Sequence, residues 1–330
     1  MKYRPPWWMP DGHSQTILSA RWVDRPKTKF YRVRWCSPDN DFLDLDFTAP
    51  VAGHTSFRTM WVLFHGLEGS SDSHYCQTLM ARAVQEQALG VVVHWRGCSG
   101  EINRLPRAYH SGDSAEVDWV IKRLRQQLPN LETLNAVGVS VGGNVLLKWL
   151  GEQGPEASKW VNAAISVSAP INLHAGASAL ARGFNRVYTR MFLQTLVPKA
   201  LLQIRNFPQL GKAEQVQACK NLLEFDDLIT APWHGFAGAL DYYQQSSASQ
   251  FLGGIRVPTL IVHAKNDPFM NGDYLPNPAS LPPAVRCVFT EQGGHVGFVS
   301  GHGIKPHLNW LPTVCSRFFL NPEEQPQSDA

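Results

Sequence analysis

The stretch NAVGVSVGGNVLLKWL, from Asn135 to Leu150, places Ser140 between Gly138 and Gly142 and sets apolar residues on both sides. This Gly-x-Ser-x-Gly spacing is typical of a serine on a sharp turn from a strand into a helix, where close packing leaves no room for Cβ atoms at the flanking positions. Such a turn presents the hydroxyl at the carboxyl edge of a sheet, beside the free N–H groups of the new helix. A turn without chemistry would give the same pattern, so a catalytic interpretation needs partners elsewhere in the chain.

Composition narrows the class of protein. The 330 residues carry a net charge of +3, with 44% hydrophobic and 17% charged residues, which indicates a globular protein and no nucleic-acid partner. The N-terminal residues lack the apolar core of a signal peptide, and no apolar stretch approaches the roughly 20 residues that span a bilayer. None of the six cysteines stands in a Cys-x-x-Cys pair. We therefore expect a cytoplasmic protein with reduced thiols and no zinc site.

Strand and helix patterns alternate along most of the chain. Two opening strands are predicted at 29–37 and 42–48, the second alternating apolar and acidic residues. Six apolar strands follow with four helices among them: strands at 59–66, 90–97, 134–140, 163–170, 257–264 and 285–291, helices at 74–88, 113–128, 142–152 and 305–319. Asp113 and Glu116 are expected to form a capping box. The alternation predicts an α/β fold, with a mostly parallel central sheet and helices on both faces. Antiparallel pairing of the opening strands would make the sheet mixed.

The alternation is interrupted in one long segment. Residues 171–256 have helical patterns and no clear strand, so we interpret them as a helical cap inserted into a core made of 29–170 and 257–320. In this interpretation residues 1–28 form an N-terminal arm, and 321–330 form a disordered tail.

The apolar part of the cap is expected to cover Ser140 and to set which ester fits. It lies in FNRVYTRMFLQTLVPKALLQI, residues 184–204, and its apolar side chains include Phe184, Val187, Met191, Leu193, Leu196 and Val197. Two alternatives remain open. One is a helical hairpin packed on the core without substrate contact, and the other is an interfacial membrane helix, since basic residues flank the apolar ones.

A serine nucleophile needs a base, and the base needs an acid that orients it. In a sheet of this kind both are expected beyond later strands, in the chain order Ser, Asp or Glu, His. Asp267 follows the next-to-last strand, and His295 follows the last strand in a glycine-rich loop. The preceding strand end offers Ile171 and Asn172 but no carboxylate, which favours Asp267 as the acid.

Each of these residues also has an ordinary interpretation. Asp267 precedes Pro268 and could simply begin a turn, and His302 and His307 lie close to His295 in the sequence. An acid and a histidine at the two required strand ends, in the required order, favour the catalytic interpretation.

The same chemistry needs two N–H donors for an oxyanion. One is expected from Val141, the residue after the serine, and the other from the loop after the first buried strand. That loop is HGLEGSS, residues 65–71, in which Gly66 and Gly69 allow a sharp turn. The Leu67 N–H is therefore the expected second donor.

Further motifs carry a more specific resemblance. They are GHSQTI near the start, HGLEGSSDSHY, RGCSGEINRLPRAYHSGD, GVSVGGN, FDDLITAPWHGF and DYYQQSS in the cap, and KNDPF and GGHVGF near the end. With these motifs nearly the whole chain resembles the α/β-hydrolase superfamily and, within it, the YheT-like branch of esterases, whose eukaryotic relatives include membrane-anchored lipid hydrolases. The resemblance implies the α/β-hydrolase fold and a triad of Ser140, Asp267 and His295. This sequence shows no N-terminal membrane anchor of that kind, which counts against a membrane-lipid substrate.

The residues and the resemblance together predict a serine hydrolase of carboxylic esters with short- to medium-chain acyl groups, acting through an acyl-enzyme on Ser140. The expected substrate is a small-molecule or lipid ester, and no metal or organic cofactor is implied. An acyltransferase with the same triad remains open, because the sequence does not decide which nucleophile takes the acyl group. A non-catalytic binding protein on the same fold has less support. The natural ester and the oligomeric state are left open.

Overall fold

Eight strands form one sheet in the part of the chain that the computed structural model describes, residues 2–51, 56–301 and 305–323. They are β1 (Tyr31–Cys36), β2 (Phe42–Phe47), β3 (Thr59–Phe64), β4 (Leu89–Val93), β5 (Thr133–Val139), β6 (Ala163–Val167), β7 (Thr259–Ala264) and β8 (Val285–Thr290). Their order across the sheet is β1-β2-β4-β3-β5-β6-β7-β8. β2 pairs antiparallel with β1 and with β4, and the other neighbouring strands are parallel. The predicted mostly parallel sheet is confirmed.

Helices cover both faces of this sheet, α3 (Ser114–Gln127) and α4 (Val141–Gln153) on one, α2 (His74–Gln85) and α11 (Trp310–Leu320) on the other. Strand β3 shows how the two cores are filled. Met60, Val62 and Phe64 belong to the core beneath α3 and α4, whereas Trp61 and Leu63 belong to the core beneath α2 and α11. Because both faces are buried, the central strands read as continuous apolar runs.

The chain between β6 and β7 is helical. It contains α5 (Leu173–Leu180), α6 (Arg186–Asn206), α7 (Ala213–Gln217), α8 (Leu222–Phe225), a π-helical turn (Asp226–Thr230), α9 (Ala231–Trp233) and α10 (Ala239–Ser246). All of residues 171–256 are described, and none of them is in a strand. The cap boundaries at 171 and 256 stay a prediction.

The N-terminal arm contains a helix that the sequence patterns do not predict. α1 (Gly12–Arg21) is capped by Asp11, whose carboxylate accepts hydrogen bonds from the backbone N–H groups of the first turn. Its buried residues are Gly12, Gln15 and Ser19. The helix has no apolar periodicity because its buried residues are small or polar.

The capping box predicted for α3 is wrong. The Asp113 carboxylate pairs with Arg107, and the Glu116 carboxylate pairs with Arg96, at N···O distances of 2.7 and 2.8 Å. Neither side chain caps the helix, because ion pairs with another part of the chain have taken both carboxylates.

The last helix begins later than predicted. It starts at Trp310 and not near Lys305. His307 instead forms a β-bridge with Ser300, in which the two backbones exchange hydrogen bonds of 2.9 and 2.7 Å, so His307 cannot belong to the helix. Residues 324–330 of the predicted tail lie outside the described residues.

The acidic residues of β2 are buried. Asp46 pairs with Arg32 of β1 at 2.7 Å and accepts a 2.6 Å hydrogen bond from Ser71, at the end of the loop 65–71. Burial alone would raise the pKa of Asp46, but hydrogen bonds from Arg32 and His94 hold the pKa well below its usual value. Asp46 is therefore an ionised anchor for the loop after β3.

Candidate active site

Ser140 occupies the turn between β5 and α4. Its backbone has a φ of 54° and a ψ of −120°, and a positive φ is strained in a residue with a side chain. A Cβ on Gly142 would lie 2.2 Å from the carbonyl oxygen of Phe64, so only glycine lets α4 start this close to β3. The turn leaves Ser140 Oγ at the carboxyl edge of the sheet.

Two loops bring Asp267 and His295 to Ser140. Asp267 lies beyond β7 and His295 beyond β8. His295 Nε2 is 3.0 Å from Ser140 Oγ, and His295 Nδ1 is 2.9 Å from Asp267 Oδ2. A carboxylate can only accept, so Nδ1–H donates to Asp267 and Nε2 is left to accept the proton of the Ser140 hydroxyl. This is the geometry that a nucleophile, a base and an orienting acid require.

Asp267 is buried and contacted from several sides. Its Oδ1 accepts a 2.8 Å hydrogen bond from the Phe269 N–H, and His263 Nε2 lies 3.4 Å from its Oδ2. Burial alone would raise the pKa of Asp267, but the charge and hydrogen bond of His295 outweigh burial and lower it. The Phe269 ring also stacks on the His295 imidazole at 4.1 Å between centroids. Asp267 is therefore ionised near neutral pH, and the imidazole is fixed at both its edge and its face.

The two expected oxyanion donors lie beside Ser140. Leu67 and Val141 both border the same cavity as Ser140. The N–H groups on either side of Leu67 are taken, that of Gly66 by the Tyr75 hydroxyl at 3.0 Å and that of Glu68 by the Tyr109 hydroxyl at 2.9 Å. Within the described ranges, no acceptor takes the N–H of Leu67 or of Val141. The tyrosines fix the loop and leave one N–H between them available.

Other candidate side chains lie apart from this arrangement. The His307 ring contacts the backbone of Asn309, with Nδ1 3.4 Å from its nitrogen, and His302 lies outside the described residues. Cys98 contacts Glu68 and Lys199, two residues of the cavity wall, but burial raises the pKa of its thiol to about 12. The thiol is therefore protonated near neutral pH and a poor nucleophile.

A cavity of about 150 Å³ adjoins Ser140 and His295. From the helical segment, α6 contributes Phe192 and Leu196 to its wall. Lys199 of α6 pairs with Glu68 at 2.7 Å, which ties this helix to the loop that carries Leu67. The wall is mostly apolar and suits an acyl chain or an apolar alcohol.

The expectation for the cap side chains is only partly correct. Leu196 borders the cavity, whereas Phe184, Val187 and Met191 are exposed. Phe184 lies in a 3₁₀ turn before α6, and Val187 and Met191 lie one turn apart on the side of α6 that faces solvent. Leu193 and Val197 pack in a local core of the helical segment.

Two polar residues of α1, which have no role in the predictions from sequence, bond the loop that carries His295. Thr16 Oγ1 accepts a 2.8 Å hydrogen bond from the His295 N–H, and Gln15 Oε1 accepts a 2.6 Å hydrogen bond from the Gly293 N–H. Both residues belong to the motif GHSQTI. That motif was the one signal in the sequence that could have pointed to them.

Comparison with known proteins defines the class. The sequence profile described as the alpha/beta hydrolase fold matches residues 62–301, so this chain belongs to the α/β-hydrolase family. The YheT-like resemblance is confirmed within it: the chain is 42% identical over 301 residues to "Putative esterase YheT" of Escherichia coli (strain K12), a match that covers 91% of this chain and 87% of that protein.

More distant relatives carry lipase names. "Phospholipase ABHD3" of Mus musculus is 28% identical over 91% of this chain and 74% of its own length. "Monoacylglycerol lipase" of Saccharomyces cerevisiae is 27% identical over 81% of this chain and 59% of its own length. The solved structure of the Pyrococcus furiosus esterase Pf2001 aligns with a TM-score of 0.56 at 14% identity, over 91% of this chain and 96% of that one, which shows a shared fold. Among the described residues, no helix is both long and apolar enough to cross a membrane.

Proposed function

We propose that this chain hydrolyses carboxylic esters through an acyl-enzyme on Ser140. The observation that carries the proposal is the line of hydrogen bonds from Ser140 Oγ through His295 to Asp267 at the wall of an apolar cavity. Relatives named phospholipase and monoacylglycerol lipase support a carboxylic ester bond as the target.

The mechanism follows from the position of each group. Ser140 Oγ attacks the ester carbonyl carbon while His295 Nε2 takes its proton, and Asp267 stabilises the resulting imidazolium. The N–H groups of Leu67 and Val141 donate to the oxyanion. When the intermediate collapses, the alcohol leaves with the proton from His295. Water, deprotonated by the same imidazole, then releases the carboxylic acid and restores Ser140.

The cavity favours a short- to medium-chain acyl group on a small-molecule or lipid ester, because its wall is mostly apolar and its volume is only about 150 Å³. We further propose that the chain acts in the cytoplasm. All six cysteines are free of disulfides, which is usual for a reducing compartment.

Labelling with a fluorophosphonate tests the nucleophile, since the reagent modifies an activated serine. The wild-type protein should be labelled, and Ser140→Ala should not be. Hydrolysis of p-nitrophenyl esters by Ser140→Ala should fall by about 10⁴–10⁶ in kcat. Retention of more than a tenth of the activity in folded Ser140→Ala would refute the assignment.

A series of p-nitrophenyl esters of increasing chain length then defines the acyl preference. Adding a primary alcohol to the assay separates hydrolysis from acyl transfer, because a transferase would yield a new ester and a hydrolase the free acid. A wild-type protein that binds esters but is neither labelled nor active would be a binding protein.

A further inference from the structure

α1 packs against the backbone of the loop that carries His295. A Cβ on Gly294 would lie 2.6 Å from the carbonyl oxygen of Gly12, and a Cβ on Gly297 would lie 2.3 Å from that of Gln15. The helix and the loop that carries His295 are therefore in direct main-chain contact. Contact this close explains why the buried face of α1 has no large apolar side chain.

The same helix contacts the loop that carries Asp267. A Cβ on Gly12 would lie 2.0 Å from the carbonyl oxygen of Asn266. Asn266 Nδ2 donates to Gln15 Oε1 at 3.3 Å, and Asn266 Oδ1 accepts from the Gly294 N–H at 3.0 Å. Asn266 and Gln15 thus join the two loops to each other and to α1.

The loop that carries His295 needs such support because its backbone is strained. Val296 has a φ of 57° and Phe298 a φ of 40°, values that side-chain-bearing residues adopt only when their surroundings hold them there. The Thr16 hydroxyl holds the His295 N–H directly, at 2.8 Å. On the other side Ser168 Oγ accepts from the Val296 N–H at 3.2 Å.

We propose that α1 positions the base of the active site, with Thr16 and Gln15 as its positioning residues. This inference rests on the proposed function of Ser140 and His295. Without the Thr16 hydroxyl the strained loop relaxes, and His295 Nε2 moves away from Ser140 Oγ. The helix lies outside residues 62–301, the part of the chain that matches the family profile.

The test compares three substitutions in α1. Thr16→Val removes the acceptor at nearly constant volume, and Thr16→Ser keeps it. Ser14→Ala is the matched control, because Ser14 Oγ bonds Asp11 at the start of the helix and not the loop that carries His295. A displacement near 1 Å costs about 10²-fold in rate, so we expect Thr16→Val to lower kcat by ten- to hundredfold with KM changed less than threefold. Thr16→Ser and Ser14→Ala should stay within threefold of the wild type.

A second readout does not depend on turnover. Spectra of protein containing ¹⁵N-labelled histidine, assigned with His295→Ala, report the proton on His295 Nδ1. That signal should shift or exchange in Thr16→Val and be unchanged in Ser14→Ala. A shift in Thr16→Val would support the positioning role even if the wild type cleaved no ester, which would refute only the proposed function.

The proposal would be overturned if Thr16→Val kept wild-type kcat and the wild-type His295 signal while the wild type was active. Should Thr16→Val fail to fold, Thr16→Ala takes its place beside Thr16→Ser. Equal kcat values for those two variants would overturn the proposal as well, since only the serine keeps the acceptor.

Discussion

Asp267→Asn replaces an ionised acceptor by an amide of nearly the same shape. The Asp267 side chain is fully buried, and its Oδ1 is already bonded to the Phe269 N–H at 2.8 Å. The oxygen of the introduced amide is therefore expected to remain with Phe269, which turns the amide NH₂ toward His295 Nδ1. An NH₂ group can only donate, so His295 must carry its proton on Nε2, where it can no longer accept from Ser140.

The size of the effect has two sources. In the transition state the imidazolium and the carboxylate lie about 4 Å apart, an interaction of ~4 kcal/mol at an effective dielectric constant near 20. That alone is worth about a thousandfold in rate. The wrong tautomer adds to it, and the equivalent change in a serine protease lowers kcat about 10⁴-fold. We therefore expect a loss of about 10³- to 10⁴-fold.

The assay is steady-state hydrolysis of a p-nitrophenyl ester, with the melting temperature as a check of folding. Asp118→Asn is the matched control, since Asp118 bonds Lys122 and Trp149 on α3 and α4 and does not border the cavity. The control should keep its kcat within threefold. A folded Asp267→Asn protein with kcat within tenfold of the wild type would refute the reasoning.

Two further predictions concern the helical segment. Leu196→Ala should change the preference between short and medium esters by roughly 1–3 kcal/mol in kcat/KM, whereas Met191→Ala, on the exposed side of α6, should not; equal effects would contradict the placement of the cavity wall. Burial raises the pKa of Asp226 to about 6 despite hydrogen bonds from Thr230 and Tyr243. Its protonated form therefore stabilises the fold most below pH ~4, and this contribution is lost as the pH rises to ~6. The melting temperature of Asp226→Asn should rise relative to that of the wild type over this pH range. A difference in melting temperature that stays constant would contradict the raised pKa of Asp226.

The features that could be predicted from the sequence are those that depend on the spacing of residues close together in the chain. The glycines around Ser140 define the turn between β5 and α4, and the apolar runs define where β7 and β8 end. Those strand ends bring Asp267 and His295 to one edge of the sheet, because neighbouring parallel strands end side by side.

Other features depend on partners far away in the sequence. Glu116 fits a capping box locally, yet Arg96 takes its carboxylate in the folded chain. α1 shows no apolar period, because its buried residues are small or polar, and Gly12 and Gln15 lie against the backbone of two loops. Met191 is apolar and fits a pocket wall by its sequence, but the orientation of α6 about its axis leaves it exposed. Local patterns do not contain that information.

The hydrogen bond between Thr16 and His295 joins residues 279 positions apart. Contacts so distant in sequence form late in folding, because the chain must first lose the entropy of closing a long loop. During synthesis the N-terminal part emerges first and β8 emerges among the last strands. α1 is the first helix to be synthesised, yet it can pack in its final position only after nearly the entire chain has been made. A nascent polypeptide that has released only the strands before β8 still lacks the loop that carries His295, so the proposed ester cleavage cannot begin until that loop has emerged and α1 has packed against it.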